Sequence, residues 1–458
     1  MSKAIQQYIE KHRSRFVEEL KVLLRHPSIS ARDEGCREFA HLLARILAEL
    51  GVEAKVMPTP GQPMVYGHLA GPAGAPTILV YGHYDVQPPE PLNAWDSPPF
   101  EPAIRDGRIY ARGASDNKGQ FFTYLKAVEA INATRGRLPV TLKFLFEGEE
   151  ETGSPHLPAF ASANRELLQA DLTLFSDSHI HESGRPLVIL GLKGLLYVEL
   201  KAKGVRSDQH SGRAASLPNP AWRLVWALAS LKDRQNKVLI PGFYDDVRAP
   251  TALEKEAINA IPCDSRALLD YYDIETFAPG RFSDAYYFNL VTEPTCNISG
   301  IGSGYTGPGN QNVLPARALA KLDFRLVPDQ DPDDILEKLK KHLNDGEFKQ
   351  LEVVKILSTD ASRTPLDSPA LTPIRQILQT VYGAEPIVFP GIGASGPNFV
   401  FTNILKQPCF LIPFASVDQC NHGPNENFIL DGFYKGIRVA SELLMHLAEA
   451  PVLKTADR

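Results

Sequence analysis

Two apolar runs of this sequence lead directly into side chains that can bind a metal ion. The run 77–82 ends at a glycine, and His83 and Asp85 follow it. A similar run at 171–176 is followed by Asp177. Taken alone, His83 is typical of a hydrogen-bonded loop histidine. A strand that ends in a loop with such residues is, however, how an α/β sheet presents ligands at its carboxyl edge, so the pattern indicates a candidate metal site.

A third apolar run, 140–146, leads into a dense group of acidic residues. Four of the five residues at 147–151 are glutamates, namely Glu147, Glu149, Glu150 and Glu151. Taken alone, a stretch of this kind is typical of a solvated surface. Carboxylates this close repel one another unless cations or protons neutralise them. Together with the other acids at strand ends, the stretch favours a cation site.

Asp116 and His422 complete the set of candidate ligands. Asp116 lies in a turn-rich segment, 113–119, just before a predicted helix, and His422 follows the apolar run 409–412 after a loop. Singly, Asp116 is typical of a helix cap and Asp177 of an Asx turn. Residues at the strand ends of an open sheet gather at one edge, so distant positions can converge. Two histidines and several carboxylates suit zinc or manganese, and this number of acids suits two ions.

The elements that must position these residues alternate between helix and strand. Apolar positions at helical spacing predict helices over 4–25, 37–50, 119–133 and 431–448, and apolar runs predict strands over 77–82, 140–146, 171–176 and 409–412. This is the order of βαβ units, which predicts an α/β fold with a mainly parallel sheet covered by helices on both faces.

A second domain is predicted between residues 192 and 388. Strands with alternating apolar residues (195–201 and 318–327) and helical segments (221–232 and 332–344) surround a long stretch interrupted by proline and glycine. After residue 390 the chain returns to the earlier pattern. We therefore expect a catalytic metal-binding domain made of 1–191 and 389–458, with 192–388 inserted into it.

Composition and motif searches exclude several other classes. The formal net charge is −6, from 54 acidic and 48 basic residues without a basic block, so nucleic acid is not an expected partner. The sequence contains no apolar stretch of about 18 residues, and a soluble, cytoplasmic protein without membrane contact is predicted. Five scattered cysteines form no CxxC pair, which argues against a thiolate zinc site. The GxGxxG pattern at 302–307 is followed by proline instead of a helix, so it does not predict dinucleotide binding.

Four motifs together resemble a known enzyme family. They are GHYDVQP at 82–88, GASDNKG at 113–119, EGEEETGS at 147–154 and the pair Ser176-Asp177. This combination resembles the di-zinc metallopeptidases and amidohydrolases that include carnosine dipeptidases, carboxypeptidase G and aminoacylases, and within them the carnosinase-like dipeptidase branch. The resemblance runs over essentially the whole chain. It implies a zinc-exopeptidase-like catalytic domain and an inserted α+β lid and dimerisation domain.

The resemblance also assigns roles to the candidate ligands. It implies two divalent ions, zinc or manganese, with Asp116 between them. His83 and Asp177 would complete one site, and Glu151 and His422 the other. Asp85 would orient His83, Glu150 would act as general base, and the peptide bond from Asp116 to Asn117 would be cis.

In the inserted domain the resemblance points to residues that meet the substrate. His210, in the segment SDQHSG at 207–212, would stabilise the oxyanion in the partner's site of a homodimer. Asn312 and Arg325 would hold the substrate, the arginine through its bidentate fork. Ser395 would lie at the return to the catalytic domain, in a stretch that departs from the Gly-Gly-Ser pattern of carnosinase-like proteins. The alternatives are a loop histidine for His210 and a surface ion pair for Arg325.

The resemblance implies hydrolysis of an amide bond in a dipeptide or short peptide with a free C-terminal carboxylate. An N-acyl or N-carbamoyl amino acid amidohydrolase is the alternative among enzymes, since it would use the same metals and base. A metal-stabilised binding protein without catalysis is the alternative of another class. Glu150 argues against it, because such a protein has no need of a base beside its ligands. The expected partners are the small substrate and a second copy of the chain.

Overall fold

Helices and strands alternate along most of the chain. The computed structural model describes residues 3–279 and 285–448. The helices are α1 (Lys3–Leu24), α2 (Cys36–Glu49), α3 (Lys118–Arg135), α4 (Leu157–Ala163), α5 (Arg165–Leu168), α6 (Pro220–Leu231), α7 (Ala252–Asn259), α8 (Ser265–Tyr272), α9 (Tyr286–Thr292), α10 (Pro332–Asp345), α11 (Leu371–Tyr382) and α12 (Leu430–His446).

The strands divide among two larger and two smaller sheets. They are β1 (Glu53–Met57), β2 (Met64–Leu69), β3 (Thr77–His83), β4 (Ala103–Arg105), β5 (Arg108–Tyr110), β6 (Thr141–Glu147), β7 (Leu172–Phe175), β8 (Leu187–Ile189), β9 (Gly194–Lys203), β10 (Gln209–His210), β11 (Thr295–Ser303), β12 (Val313–Leu314), β13 (Arg317–Leu326), β14 (Glu352–Thr359), β15 (Ile387–Phe389), β16 (Cys409–Leu411) and β17 (Asn427–Ile429).

The largest sheet has the strand order β1-β2-β6-β3-β7-β16-β8-β15. Its central strands β6, β3, β7 and β16 run parallel to one another, as predicted for this region. Every residue of β3 is buried, which explains why its sequence is continuously apolar instead of alternating. Val80 pairs with Phe144 on one side and with Leu174 on the other. The predicted mixed α/β class is therefore confirmed.

Helix α3 anchors the segment before it to this sheet. It packs against β3 and against both α1 and α12, so it is covered on several sides. Its residues from Lys118 to Val128 are all buried. A helix that is enclosed in this way cannot slide, and the turn-rich segment 113–117 that leads into it is consequently held in place.

The second unit has the expected α+β character. Its sheet has the order β11-β13-β9-β14, with antiparallel neighbours throughout. Buried and more exposed residues alternate along β9 and β13, because the sheet face with the buried residues packs on helices. Helices α6 and α10 cover that inner face, with Leu224 and Leu339 in the shared core.

The chain separates into two compact units. The first contains the described parts of 1–190, 363–390 and 400–458, and the second contains 191–362 and 391–399. The predicted end of the inserted domain at residue 388 differs from this division. Residues 363–388 pack with the first unit, because α11 buries its apolar face against α12 and β15 pairs with β8.

No helix within residues 3–279 and 285–448 combines the length and the apolar composition that a membrane-spanning segment needs.

Candidate metal centre

The strand ends of the first unit meet at one edge of the large sheet. His83 is the last residue of β3 and pairs with Glu147, the last residue of β6. Asp177 follows two residues after the end of β7, which lies on the other side of β3. Because these strands are parallel, their carboxyl ends lie side by side, as the sequence predicted.

Asp116 faces two histidines with its two carboxylate oxygens. Its Oδ1 lies 3.1 Å from His83 Nε2, and its Oδ2 lies 3.0 Å from His422 Nε2. Each histidine nitrogen also faces a second carboxylate: Asp177 Oδ2 lies 3.4 Å from His83, and Glu151 Oε2 lies 3.3 Å from His422. These five residues form two histidine–carboxylate groups that share Asp116, and we call them the five-residue cluster.

The cluster fits divalent ions. His83 Nε2 is buried and makes no hydrogen bond of normal geometry, although two carboxylates face it. Ligand atoms of His83, Asp116 and Glu151 all lie within 4.8 Å of one another. A buried nitrogen that points at carboxylates without bonding to them suits a cation held between them. Neutral imidazole and carboxylate are ligands that zinc accepts.

Without a cation, protons must balance the carboxylates of the cluster. Burial alone would lower the pKa of His83, but Asp116 and Asp177 raise it well above its usual range. Asp116 and Glu151 raise the pKa of His422 to about 10. The pKa of Asp116 lies well below its usual value despite burial, because the positive charges of the protonated histidines His422 and His83 stabilise its ionised form. Metal ions and protons therefore compete for this cluster.

Glu150 stands beside the cluster with a different electrostatic character. Burial raises the pKa of its carboxyl well above the usual value; His83 opposes this shift, and Asp177 and Glu151 add to it. A carboxyl that holds a proton more firmly than an ordinary glutamate can accept one from a reacting water and release it later. Glu150 thus differs from its neighbour Glu151, whose carboxylate faces His422.

Asp85 orients His83 and also the backbone of Glu150 and Glu151. The ring nitrogen Nδ1 of His83 lies 3.1 Å from the backbone oxygen of Asp85 and 3.4 Å from its carboxylate. The carboxylate oxygens accept hydrogen bonds from the backbone N–H groups of Glu150 at 3.2 Å and Glu151 at 3.0 Å, and from the Ser30 hydroxyl at 2.7 Å. A single buried side chain therefore fixes both the histidine and the backbone of the two glutamates.

The remaining acids of 147–151 are also turned inwards, so the alternative of a solvated charge cluster is wrong. Glu147 is fully buried and accepts hydrogen bonds from the hydroxyls of Tyr81 and Ser154. Its pKa is raised to about 7, chiefly by burial. Glu149 lies 2.7 Å from His156 Nδ1.

The helix-cap alternative for Asp116 is also wrong, and the hydrogen bond that Asp177 accepts comes from the next residue instead of the second residue that an Asx turn requires. The cap residue of α3 is Asn117, whose side chain makes no capping hydrogen bond. The bond between Asp116 and Asn117 is cis, as the resemblance implied. Asp177 accepts a hydrogen bond from the N–H of Ser178 at 2.6 Å through Oδ1, while Oδ2 faces His83. Its two oxygens thus have different partners.

The sequence model of the family described as Peptidase family M20/M25/M40 matches residues 79–446. This chain belongs to that family. The matched span contains all five residues of the cluster, and membership makes the chain a metal-dependent peptidase, as predicted.

Other M20-type proteins resemble the chain over nearly its full length. The Beta-Ala-His dipeptidase of Rattus norvegicus is 27% identical over 97% of this chain and 95% of its own. The Cys-Gly metallodipeptidase DUG1 of Saccharomyces cerevisiae is 27% identical over 97% and 98%. Among solved structures, the M20 family metallo-carboxypeptidase Sso-CP2 from Sulfolobus solfataricus is 38% identical with a TM-score of 0.89, over 94% of this chain and 98% of that one.

The predicted substrate residues lie in the second unit, in two groups. His210 is exposed in β10, where it pairs with Val313, and the N–H of Ser211 donates to the backbone oxygen of Asn312 at 3.1 Å. Arg325 Nη1 donates to the Ser395 hydroxyl at 2.8 Å, and that hydroxyl lies 3.2 Å from the backbone oxygen of Gly194. Neither the contact next to His210 nor the one between Arg325 and Ser395 was predicted from the sequence.

Sequence reasoning about this M20 chain missed several residues that contact the cluster, among them Gln87 and Glu426. Gln87 donates through Nε2 to Glu151 Oε2 at 2.9 Å. Glu426 accepts a hydrogen bond from the backbone N–H of Asp116 at 3.0 Å. Gln87 lies within the GHYDVQP motif, and Glu426 comes only four residues after His422. Closeness in sequence to a candidate ligand was therefore the signal that could have indicated these two residues. The hydrogen bonds that they make depend on the tertiary structure.

Proposed function

We propose that this M20-family protein hydrolyses the amide bond of a dipeptide or short peptide that ends in a free carboxylate, with the help of two divalent ions. The observation that carries the proposal is the position of Asp116, whose two oxygens face two different histidines at 3.1 and 3.0 Å. A carboxylate in that position serves two adjacent ions at once. Each histidine then needs one more carboxylate, and Asp177 and Glu151 supply these.

In this proposal one ion is held by His83, Asp116 and Asp177, and the other by Asp116, Glu151 and His422. Zinc fits the nitrogen and oxygen ligands, and manganese is the second choice. When bound by these residues, two such ions would supply the chemistry that lowers the pKa of a water molecule towards neutrality and polarises the amide carbonyl.

Glu150 carries out the proton transfers. Its carboxylate takes a proton from the attacking water as the new carbon–oxygen bond forms, and gives that proton to the amine nitrogen as the carbon–nitrogen bond breaks. Its raised pKa suits this exchange, because a more basic carboxylate accepts the proton more readily. Asp85 supports the step by holding the Glu150 backbone N–H at 3.2 Å.

Arg325 binds the terminal carboxylate of the substrate in this proposal. Its Nη1 is held by Ser395, and the side chain remains 36% exposed, so the guanidinium is both oriented and accessible. A planar guanidinium recognises a carboxylate with two parallel hydrogen bonds. Asn312, which directly precedes the strand partner of His210, is the other proposed substrate residue. The names of the relatives, two dipeptidases and a carboxypeptidase, support a substrate of this kind.

The assembly and the location belong to the same proposal. We expect a homodimer formed through the inserted domain, in which His210 stabilises the oxyanion in the partner's site, and we expect the protein to act in the cytoplasm. The exposure of His210 is compatible with contact to another chain.

A substrate panel tests the proposed reaction. Protein reconstituted with zinc or manganese is offered dipeptides, the same dipeptides with amidated C-termini, and matched N-acetyl and N-carbamoyl amino acids. We expect the highest kcat/KM on free dipeptides and at least a tenfold loss on the amides, the size of effect that a lost charged hydrogen bond produces. Faster turnover of the N-acyl or N-carbamoyl compounds would establish the alternative amidohydrolase. Binding of metal without turnover of any compound would favour the non-catalytic binding protein.

A further inference from the structure

Glu426 lies at the centre of a buried polar network beneath the five-residue cluster. It directly precedes β17, and its backbone oxygen accepts a hydrogen bond from Ala111 N–H at 3.1 Å. The pairing of β17 with β5 therefore carries the Glu426 side chain over residues 112–116. The carboxylate has no exposure to solvent.

Among the residues that the structure describes, the donors to this carboxylate all come from the segment that ends in Asp116. Oε1 accepts from the backbone N–H groups of Ser115 at 2.9 Å and Asp116 at 3.0 Å, and from the Ser115 hydroxyl at 3.1 Å. Oε2 accepts from the backbone N–H of Gly113 at 2.9 Å and from Arg112 at 2.8 Å. Glu426 thus holds the backbone on the N-terminal side of Asp116, while α3 begins directly beyond it.

Arg112 extends the network to the loop that carries His422. Its side chain is 1% exposed, and its Nη2 lies 3.3 Å from the backbone oxygens of both His422 and Pro88. The guanidinium also lies over the Trp95 ring, 5.3 Å from its centroid. The ion pair between Arg112 and Glu426 therefore connects the loop of His422 with the segment of Asp116.

We infer that Glu426 and Arg112 are positioning residues that set the separation of Asp116 and His422. This separation determines the affinity for the second ion, which is the ion assigned to Asp116, Glu151 and His422. The inference rests on the proposed function, since it assigns metal ligation to these two residues. A buried ion pair is not required for stability alone, because well-packed apolar residues often replace one at no cost. Five donors directed at one carboxylate beside a ligand instead match the way outer residues orient metal ligands.

A matched pair of variants tests this inference. Glu426→Gln keeps the shape of the side chain but directs an NH₂ group at the N–H of Gly113 or at Arg112. Glu129→Gln is the control, because Glu129 is also a largely buried carboxylate of the first unit that accepts hydrogen bonds from several donors, here Tyr8, Arg15 and Lys126. The dissociation constants for Co²⁺ and Zn²⁺ are measured by titration into metal-free protein, together with the visible spectrum of bound Co²⁺ and the thermal unfolding midpoint.

We expect Glu426→Gln to lower the affinity for the second ion by about 10- to 100-fold and to change the spectrum of bound Co²⁺. Glu129→Gln is expected to lower the unfolding midpoint while its metal affinities stay within twofold of the wild type. Wild-type affinity and spectrum in Glu426→Gln would overturn the inference and leave the proposed function intact. Absence of metal binding in the wild-type protein would overturn the proposed function itself.

A second variant decides the matter if Glu426→Gln does not fold. Arg112→Lys retains the positive charge beside Glu426 but loses the planar fork that reaches the His422 backbone. We expect this variant to bind the second ion with at least fivefold lower affinity while its circular dichroism spectrum stays like that of the wild type. Unchanged affinity in this variant would overturn the inference.

Discussion

At the scale of single residues, neighbouring carboxylates have different surroundings and hence different chemistry. Glu150 and Glu151 are adjacent in sequence, but Glu151 faces His422 at 3.3 Å whereas Glu150 has a strongly raised pKa. Asp85 holds the backbone of both. The sequence predicted the presence of both residues near a metal site, and only the tertiary contacts distinguish their environments.

Glu150→Gln should abolish hydrolysis and leave metal binding in place. Glutamine has the same shape but cannot accept the proton of the attacking water, so kcat is expected to fall by about 10²- to 10⁴-fold. Metal content by mass spectrometry of the purified protein should remain at two ions per chain, as proposed. Glu53→Gln, an exposed position on β1, is the control. Retained activity in Glu150→Gln would show that another group is the base.

The histidines of the cluster should make metal stabilisation depend on pH. The pKa of His422 is raised to about 10, and that of His83 is raised as well, so the metal-free folded protein binds protons that the unfolded chain releases near pH 6.5. The protons on these two histidines stabilise the metal-free folded protein fully below about pH 6.5. This stabilisation is lost as the pH rises through the raised pKa values that the histidines have in the folded protein. A bound metal replaces these protons.

The difference in unfolding midpoint between metal-loaded and chelator-treated protein is therefore expected to increase from pH 6.5 to 8.5. Taking the difference largely cancels groups that titrate in both forms, such as Lys118, whose pKa burial lowers to about 7. Differential scanning calorimetry at several pH values measures the effect. His422→Asn should make the increase smaller, and a difference that declines with pH would contradict the assignment of the histidines.

At the scale of secondary structure elements, the start of α3 determines the position of Asp116. Asn117 donates to the backbone oxygen of Ser176 at 2.6 Å, which ties this helix start to the end of β7. At Gly119, a Cβ atom would lie 1.9 Å from the backbone oxygen of Ala114 and 2.7 Å from Phe428. The segment before the helix can approach this closely only because glycine has no side chain.

Gly119→Ala should consequently damage both stability and metal binding. The added methyl group collides with backbone that cannot move aside cheaply, so we expect a loss of about 1–3 kcal/mol in the free energy of unfolding and a lower metal content. Urea unfolding and metal analysis measure these. Gly302→Ala is the control, since a Cβ there would meet no atom within 4 Å. Equal stability and metal content in both variants would contradict this account of the helix start.

At the scale of the whole molecule, the proposed homodimer makes a prediction about mixed subunits. Chains with His210→Ala and chains with Glu150→Ala are each expected to be inactive alone. If His210 serves the partner's site, a heterodimer contains one complete site, so random exchange should restore about a quarter of wild-type activity. Subunit exchange is verified by native mass spectrometry. Complete exchange without recovered activity would show that His210 acts within its own chain or has no role.

The sequence by itself determined the main strands and the ligand types. All residues of β3 and β7 are buried, which explains their largely apolar sequences, and in β6 the continuous buried run begins at Phe144. The parallel order of these strands brings the residues after them to one edge. Local pattern is sufficient for such a prediction. The helices α3 and α12 were predicted for the same reason, from apolar residues at helical spacing.

Only the tertiary structure decided the residues' partners and the division of the chain. Residues 363–388 have the same apolar spacing whichever unit they pack against, so their place with α12 could not be derived from periodicity. Glu426 and Arg112 are ordinary charged residues in sequence, and their hydrogen bonds join segments about 310 positions apart. Such contacts depend on the positions of other chain segments, which local sequence patterns do not contain.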